Sequence, residues 1–123
     1  MSQLPDLSAH IRAVLALDPS AEAVEYQGAW TDWKTVAHVA HAVESRLTAA
    51  GLGAGSPVGL ILRNHPAMVA ALLGVLLVNG CVVTINASSG DARLATDLEE
   101  LRLPVVIGLG ADWGRPHIVE AAA

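Results

Sequence analysis

Apolar residues recur through residues 32–51 with the period of an α-helix. The apolar stripe consists of Val36, Val39, Ala40, Val43, Leu47 and Ala50. These positions return to one face at 3.6 residues per turn, which predicts an amphipathic helix with one buried side. Asp32 suits the N-cap, because its carboxylate can accept hydrogen bonds from free backbone N–H groups. Gly51 suits the end of the helix.

Further stretches with helical spacing or composition alternate with runs of β-branched and other apolar residues. Helices are predicted over 7–17, 66–78 and 91–102, and strands over 58–62, 81–85 and 104–108. Alternation in residues 23–26, a turn at Gln27-Gly28 and residues 29–30 predict a short hairpin. Strands that alternate with helices pair in parallel through right-handed crossovers. The pattern therefore predicts an α/β fold, a mostly parallel sheet with helices on its faces, plus a short N-terminal β-hairpin.

The segment between Arg63 and Asp91 contains no Asp, Glu, Lys or Arg. Residues 66–85 are long enough to cross a hydrocarbon core of about 30 Å as a helix. However, Asn79-Gly80 interrupts the run with a strong turn signal. The residue types change there from helix formers to strand formers, and the flanks lack the aromatic belt of a membrane span. We therefore predict a buried helix followed by a buried inner strand, and no membrane span.

Composition and charge exclude several classes of partner. The 123 residues carry a formal net charge of -5, with 53% hydrophobic and 15% charged residues, and Lys34 is the single lysine. A nucleic-acid surface needs a clustered basic stripe, and a polybasic membrane anchor needs several adjacent cations. We therefore expect no nucleic-acid partner. The first residues do not resemble a signal peptide, because no basic start precedes an apolar stretch, and we expect a cytoplasmic location.

Two groups of side chains invite a chemical interpretation, and we assign both a structural one. His38, His41 and Glu44 follow one another at intervals of three residues on the predicted helix, but a metal site would need further ligands. They lie largely opposite the apolar stripe, so we expect a solvated surface and no metal site. Cys81, the single cysteine, opens an apolar strand. We expect it to be buried as a small apolar side chain rather than to act as a nucleophile.

Two predicted loops join a strand to a helix, which is where doubly wound sheets bind ligands. Ser88-Ser89-Gly90 lacks the glycine spacing and the lysine of a phosphate-binding loop, so we expect helix capping there. For Arg63-Asn64-His65 we also expect capping, together with a contact to the rest of a larger protein. Trp30 and Trp33 flank a helix start, and we expect packing rather than ligand stacking. The sequence thus places no residue in a catalytic, cofactor-binding or metal-binding set.

Residues 51–86, GLGAGSPVGLILRNHPAMVAALLGVLLVNGCVVTIN, resemble the N-terminal part of the AMP-forming acyl-CoA synthetases. This adenylate-forming superfamily also contains luciferases and the adenylation domains of nonribosomal peptide synthetases. The shared order is a Gly-containing connector, an apolar strand ending in Asn, an apolar helix and a Val-rich strand. Upstream, residues 32–36 are similar to the family's helix start and Tyr26-Gln27-Gly28 to its hairpin. Downstream, residues 94–107 are similar to the helix and strand that close the subdomain, so the likeness covers about residues 9–109.

The sequence departs from the family pattern at four positions that look structural. Asp32, Ser56, Asn79 and Thr84 stand where Thr, Asp, Ala and Pro are usual. The family's chemistry depends on motifs further along the chain, including a Ser/Thr/Gly-rich phosphate loop and a late lysine, and none of them occurs in these 123 residues. Residues 119–123 also contain no helix terminator. We therefore expect residues 1–123 to be a single N-terminal subdomain, an incomplete part of a larger enzyme.

The resemblance implies what a full-length protein would do. Members join a carboxylic acid, here expected to be a fatty acid, to ATP, and then transfer the acyl group to a thiol such as CoA. The resemblance thus implies ATP, Mg²⁺ and CoA for the whole enzyme, whereas we expect this chain alone to bind no cofactor and to be inactive.

We expect the partner of this chain to be the remainder of the same enzyme, and we expect exposed apolar surfaces to cause self-association of the isolated chain. Two alternatives stay open at this point. One is a standalone small α/β binding or interaction module without catalysis, and the other is a membrane-anchored fragment.

Overall fold

The computed structural model describes residues 6–86 and 90–108. The helices are α1 (Leu7–Leu17), α2 (Trp33–Ala49), α3 (Pro66–Leu77) and α4 (Asp91–Leu101), and the strands are β1 (Glu22–Tyr26), β2 (Ala29–Asp32), β3 (Pro57–Leu62), β4 (Cys81–Asn86) and β5 (Val106–Ile107). The predicted order of a helix, a hairpin, and then alternating helices and strands is confirmed. The segment 109–123, with Trp113 and the Ala-rich tail, lies outside the described residues.

The strands β1 and β2 form the predicted antiparallel hairpin. Tyr26 pairs with Ala29 across the turn, so two residues connect the strands. Gln27 and Gly28 both have positive φ, 53° and 81°. Positive φ at both central positions defines the type I′ turn, whose twist matches that of the flanking strands.

The other three strands form a parallel sheet in the order β4-β3-β5. In this sheet Leu60 of β3 lies opposite Thr84 of β4 and Ile107 of β5. Residues 58–61 of this central strand are buried, because helices cover both faces of the sheet. The prediction of parallel pairing, and of a β3 without polar alternation, is confirmed.

The prediction that β4 is an inner, buried strand is wrong. Among the described strands β4 pairs with β3 alone, and Ile85 is its one fully buried residue. Cys81 is exposed, so the expectation of a buried cysteine is also wrong. The reason is that a strand's composition reports its average burial, whereas its place in the sheet depends on long-range pairing.

Helices cover the two faces of the parallel sheet separately. On one face, a core cluster joins α2, α3, β3 and β5, and its largest buried side chains include Val43, Leu47, Val58, Leu60, Val75 and Val105. On the other face, α4 packs against the sheet through Ile61, Ile85, Leu94, Leu98 and Val106. The predicted apolar face of α4 is confirmed for Leu94 and Leu98, whereas Leu101 is 44% exposed. It ends the helix, directly before Arg102 turns into the left-handed conformation.

The helix α1 packs against α2 and α3, and a buried polar contact joins it to α3. The hydroxyl of Ser8 donates a hydrogen bond of 2.8 Å to the carbonyl oxygen of Leu77. This carbonyl lies at the end of α3, where backbone acceptors lack an intrahelical partner. The contact therefore satisfies two buried polar groups and fixes α1 at the C-terminal end of α3.

Both ends of α2 carry the predicted caps. Oδ1 of Asp32 accepts a hydrogen bond of 2.8 Å from the backbone N–H of Thr35, and this bond lowers the pKa of the Asp32 carboxyl group. At the other end, Gly51 has φ +79°, and the N–H of Leu52 donates to the carbonyl oxygen of Leu47. This is a Schellman motif, in which the left-handed glycine ends the helix.

The long apolar run of the sequence ends its helix at Asn79-Gly80, as predicted. Asn79 has φ +58°, its N–H donates to the carbonyl oxygen of Leu76, and the N–H of Gly80 donates to that of Val75. The same Schellman geometry therefore ends α3 before β4 begins. Within the described ranges, no helix combines the length and the apolar character that a membrane span requires.

The connector between α2 and β3 is held more firmly than its glycine content predicts. The N–H of Gly55 donates to the carbonyl oxygen of Asn79, and the N–H of Cys81 donates to that of Ser56. The Ser56 hydroxyl also accepts from the N–H of Gly53 at 3.0 Å. The connector and the α3–β4 corner thus support each other.

Candidate functional site

The carboxyl ends of the three parallel strands lie at one edge of the sheet. The last residues of two of them, Leu62 and Asn86, are directly opposite each other. Open α/β sheets bind ligands outside this edge, where the loops leave the strands. The loop at residues 63–65 begins here, directly after β3. Of the second predicted loop, residues 88–90, the structure describes Gly90, and β4 ends at this edge with Asn86.

The first loop fulfils the predicted capping role. His65 is the N-cap of α3, and its Nδ1 accepts a hydrogen bond of 3.0 Å from the backbone N–H of Ala67. Pro66 follows at the first helical position, where a residue without an N–H is favourable. Because Nδ1 accepts, we assign the hydrogen of the neutral imidazole to Nε2. The Nε2–H group of His65 is therefore the donor that this ring can offer to another molecule.

The second loop is described at its end. Gly90, with φ +95°, is the N-cap of α4, and a glycine offers no side-chain oxygen to the helix. Ser88 and Ser89 lie outside the described residues, so a capping role of their side chains stays a prediction. Since a φ of this value is readily adopted by glycine, Gly90 sets the direction in which α4 leaves the edge.

A cavity of about 330 Å³ lies next to the first loop, between the hairpin and the first turns of α2 and α3. Tyr26 from β1 and His65 both line it, with ring centroids 5.3 Å apart and ring planes at 53°. Sequence reasoning did not pair these residues. Tyr26 was identified as part of a hairpin and His65 as part of a turn, and no periodicity links positions so far apart.

The polar face of α2 forms a surface network. Glu44 pairs with Arg12 of α1 at 2.6 Å and with Nδ1 of His41 at 3.0 Å. The hydrogen bond to Arg12 lowers the pKa of Glu44 and raises that of Arg12. Glu44 is thus engaged in linking two helices. No group of three or more potential metal-binding side chains occurs in the part of the chain that the structure describes.

The tryptophans differ in their environments. Trp33 is partly buried against the cluster that α1, α2 and α3 form together, which confirms the packing role. Trp30 is 53% exposed, so the expected packing is wrong for this residue. Its side chain extends from β2 of the hairpin, whose two strands have partly exposed faces.

The sequence matches the AMP-binding enzyme family over residues 11–122. No curated relative matches it significantly.

Several solved structures are similar to the chain in fold. A nonribosomal peptide synthetase, FmoA3, in its α-methyl-L-serine-AMP bound form, has a TM-score of 0.78 and 24% identity, covering 95% of this chain and 13% of that chain. The N-terminal subdomain of Klebsiella oxytoca NpsA, in complex with 3-hydroxyanthranilyl-AMSN, has a TM-score of 0.75 and 15% identity, covering 97% of this chain and 31% of that chain. A benzoate CoA ligase from Burkholderia xenovorans has a TM-score of 0.65 and 22% identity, covering 88% of this chain and 22% of that chain.

These three structures share the fold of this chain over most of its length. The chain in turn spans between 13% and 31% of their lengths.

Proposed function

The chain belongs to the AMP-binding enzyme family, and from this premise we propose that it is the N-terminal subdomain of an adenylate-forming ligase. The observation that supports the proposal most strongly is the family match, which extends over residues 11–122. The fold agrees with it. The FmoA3 structure and the NpsA N-terminal subdomain cover 95% and 97% of the chain.

The proposed reaction has two steps, both carried out by the full-length protein. A carboxylate attacks the α-phosphorus of ATP, which forms an acyl-adenylate and releases pyrophosphate. A thiol such as that of CoA then takes the acyl group and releases AMP. The charge that develops on the phosphates must be neutralised by cations, including Mg²⁺, and by oriented N–H groups.

This subdomain is proposed to be inactive by itself. Its sequence has one lysine, Lys34, and no glycine-rich phosphate loop. Its proposed contribution is the carboxyl edge of the sheet, where the loop at 63–65 meets the rest of the enzyme. Calorimetry with ATP should therefore show no saturable heat with the 123-residue chain, and a clear isotherm would contradict this part of the proposal.

The acid substrate is proposed to be a fatty acid, with CoA as the acceptor, as the resemblance to acyl-CoA synthetases implies. The similar structures include one bound to α-methyl-L-serine-AMP and one named for benzoate. An informative panel of substrates must therefore contain fatty, aryl and amino acids.

The experiment is ATP–pyrophosphate exchange with the protein encoded by the full reading frame. We expect exchange that depends on one class of acid in the panel. Exchange with an aryl acid or an amino acid alone would support the proposed ligase function but contradict the proposed fatty acid substrate. If the protein encoded by the full reading frame folds but shows no exchange with any acid, the alternative of a standalone binding module would be favoured.

The proposed partner of the subdomain is the remainder of the enzyme. Several large apolar side chains are exposed, namely Leu7, Val14, Leu17, Trp30, Leu62, Val69, Leu72 and Leu101. Exposed apolar surface of this kind usually belongs to interfaces. Among the described strands, one edge of β4 is unpaired, and an unpaired strand edge is also a common site of association.

The same surfaces should cause the isolated chain to self-associate. Light scattering is expected to show a mean mass that rises with concentration above that of a monomer. A strictly monomeric chain at high concentration would contradict this prediction.

A further inference from the structure

The walls of the cavity beneath the hairpin combine apolar side chains with hydrogen-bonding groups. The cavity volume of about 330 Å³ falls within the range of small-molecule sites, about 300–1,000 Å³. The two strands of the hairpin lie on one side of it, and the first two turns of α2 and α3 lie on the other.

The floor of the cavity is apolar. Val36 and Val39 of α2 face Ala67 and Ala70 of α3, and Val36 and Ala70 are almost completely buried. Because these residues belong to helices that pack tightly together, the floor is part of the folded core. An apolar floor of this kind favours the apolar body of a ligand.

Among the described residues that line the cavity, the polar side chains are hydrogen-bond donors or hydroxyls, and none is acidic or a lysine or arginine. Nδ1 of His65 is occupied by Ala67, so Nε2–H can donate. The hydroxyl oxygen of Tyr26 accepts from Nε2 of Gln27 at 3.2 Å, so its hydrogen can also donate. Thr31 and Thr35 add two hydroxyl groups. A ligand that satisfies these groups carries a hydrogen-bond acceptor.

Charge and shape restrict the ligand further. Although the cavity lies at two helix N-termini, the carboxylate of Asp32 already caps α2, and this favours a neutral ligand over an anion. Tyr26 and His65 provide two ring faces at a tilted angle, which suits an aromatic ring packed edge to face.

From these observations we propose that the cavity is a binding site for a small neutral aromatic molecule that carries a carbonyl-type hydrogen-bond acceptor. The ring lies on the apolar floor between α2 and α3, and the acceptor faces His65 and Tyr26. Its occupation would connect the hairpin to the start of α3.

The test uses benzamide as the probe, because it combines one aromatic ring with a neutral carbonyl group. Benzamide is titrated into the 123-residue chain and followed by NMR of the methyl groups. We expect saturable shifts at Thr31, Thr35 and Val39, with intermolecular contacts to the probe. Shifts that do not saturate, or that spread evenly over the surface, would overturn the proposal.

Cavity-filling variants provide the matched comparison. Ala67→Leu fills the cavity from α3, and we expect it to weaken binding by at least about tenfold, equivalent to about 1.4 kcal/mol. Ala42→Leu places the same side chain on the exposed face of α2 and should leave binding unchanged. Ala29→Leu fills the cavity from the hairpin, and it replaces Ala67→Leu in the comparison if that variant does not fold. Equal binding by a folded cavity-filling variant and by Ala42→Leu would overturn the proposal.

The remainder of the enzyme could occupy the cavity instead. In that case the isolated chain would still bind benzamide, but the full-length protein would not, and the site proposed for the complete protein would be refuted. Pyrophosphate exchange does not depend on this result, so failure of the cavity proposal is distinguishable from failure of the proposed ligase function.

Discussion

At Gly74 the backbone of α3 approaches α2 closely because glycine has no side chain. A Cβ atom at this position would lie 2.7 Å from the carbonyl oxygen of Ala40 and 2.6 Å from Cβ of Val43. Gly74→Ala should therefore force the two helices apart. We expect a loss of about 1–3 kcal/mol in the free energy of unfolding, in spite of the higher helix propensity of alanine. Urea denaturation measures this change.

Gly53→Ala is the control for this substitution. Among the described residues, no heavy atom lies within 4 Å of a Cβ atom built at Gly53, so the change in stability should stay within about 0.5 kcal/mol. Equal destabilisation by both variants, or stabilisation by Gly74→Ala, would contradict the close approach of α2 and α3.

Asn79 acts through its left-handed backbone, which an alanine adopts less readily. At φ +58° the cost for an ordinary residue is about 1–2 kcal/mol. Asn79→Ala should therefore lower the free energy of unfolding by about 1 kcal/mol, whereas Asn79→Gly should leave it unchanged or raise it slightly. Thermal denaturation of both variants checks the order. If alanine proved as stable as glycine at this position, the Schellman geometry would be wrong.

Among the elements, α1 and α2 are linked by a pair whose strength depends on pH. The folded state lowers the pKa of Glu44, first through the hydrogen bond from Arg12. A carboxyl group with a lowered pKa stabilises the fold above its unfolded pKa and loses this contribution as the pH falls through its folded pKa. The Arg12 side chain is 47% exposed, so solvent screening limits the pair to about 0–1 kcal/mol.

Glu44→Gln should therefore lower stability at neutral pH and have a smaller effect in acid. The free energies of unfolding of both proteins are measured in urea at pH 7 and at a pH well below 4.5, the pKa of an ordinary glutamate. We expect the gap between the two proteins to narrow in acid. A gap that stays constant or widens would contradict a stabilising role of the Glu44 charge.

Elements were predictable where a local signal determines them. The helical period defined α2, and Asp32 and Gly51 marked its ends, because capping needs only nearby residues. Asn79-Gly80 marked the end of α3 for the same reason. The position of β4 at the edge of the described sheet was not predictable, since it depends on β5 pairing with β3 and not with β4. The sequence pattern did not predict the exposure of Cys81 for the same reason, since Cys81 lies on β4.

At the scale of the whole molecule, the sequence pattern predicted loops directly after two strands, and the parallel pairing of β3 and β4 places the ends of these strands, Leu62 and Asn86, at one edge. The cavity was not predictable, because it depends on how the hairpin sits over two helix starts. Tyr26 and His65 contact each other only in the folded chain. Local patterns therefore predicted the strands and helices around the site, whereas the contact between Tyr26 and His65 depends on tertiary structure.

Our central proposal is that this chain is one part of an adenylate-forming ligase and needs the rest of the enzyme for activity. The most direct measurement is ATP–pyrophosphate exchange with the 123-residue chain and the polypeptide encoded after it in the same reading frame, purified separately and then mixed. We predict exchange in the mixture and none with the 123-residue chain alone. Exchange by that chain alone, or full exchange by the second polypeptide without it, would contradict the account.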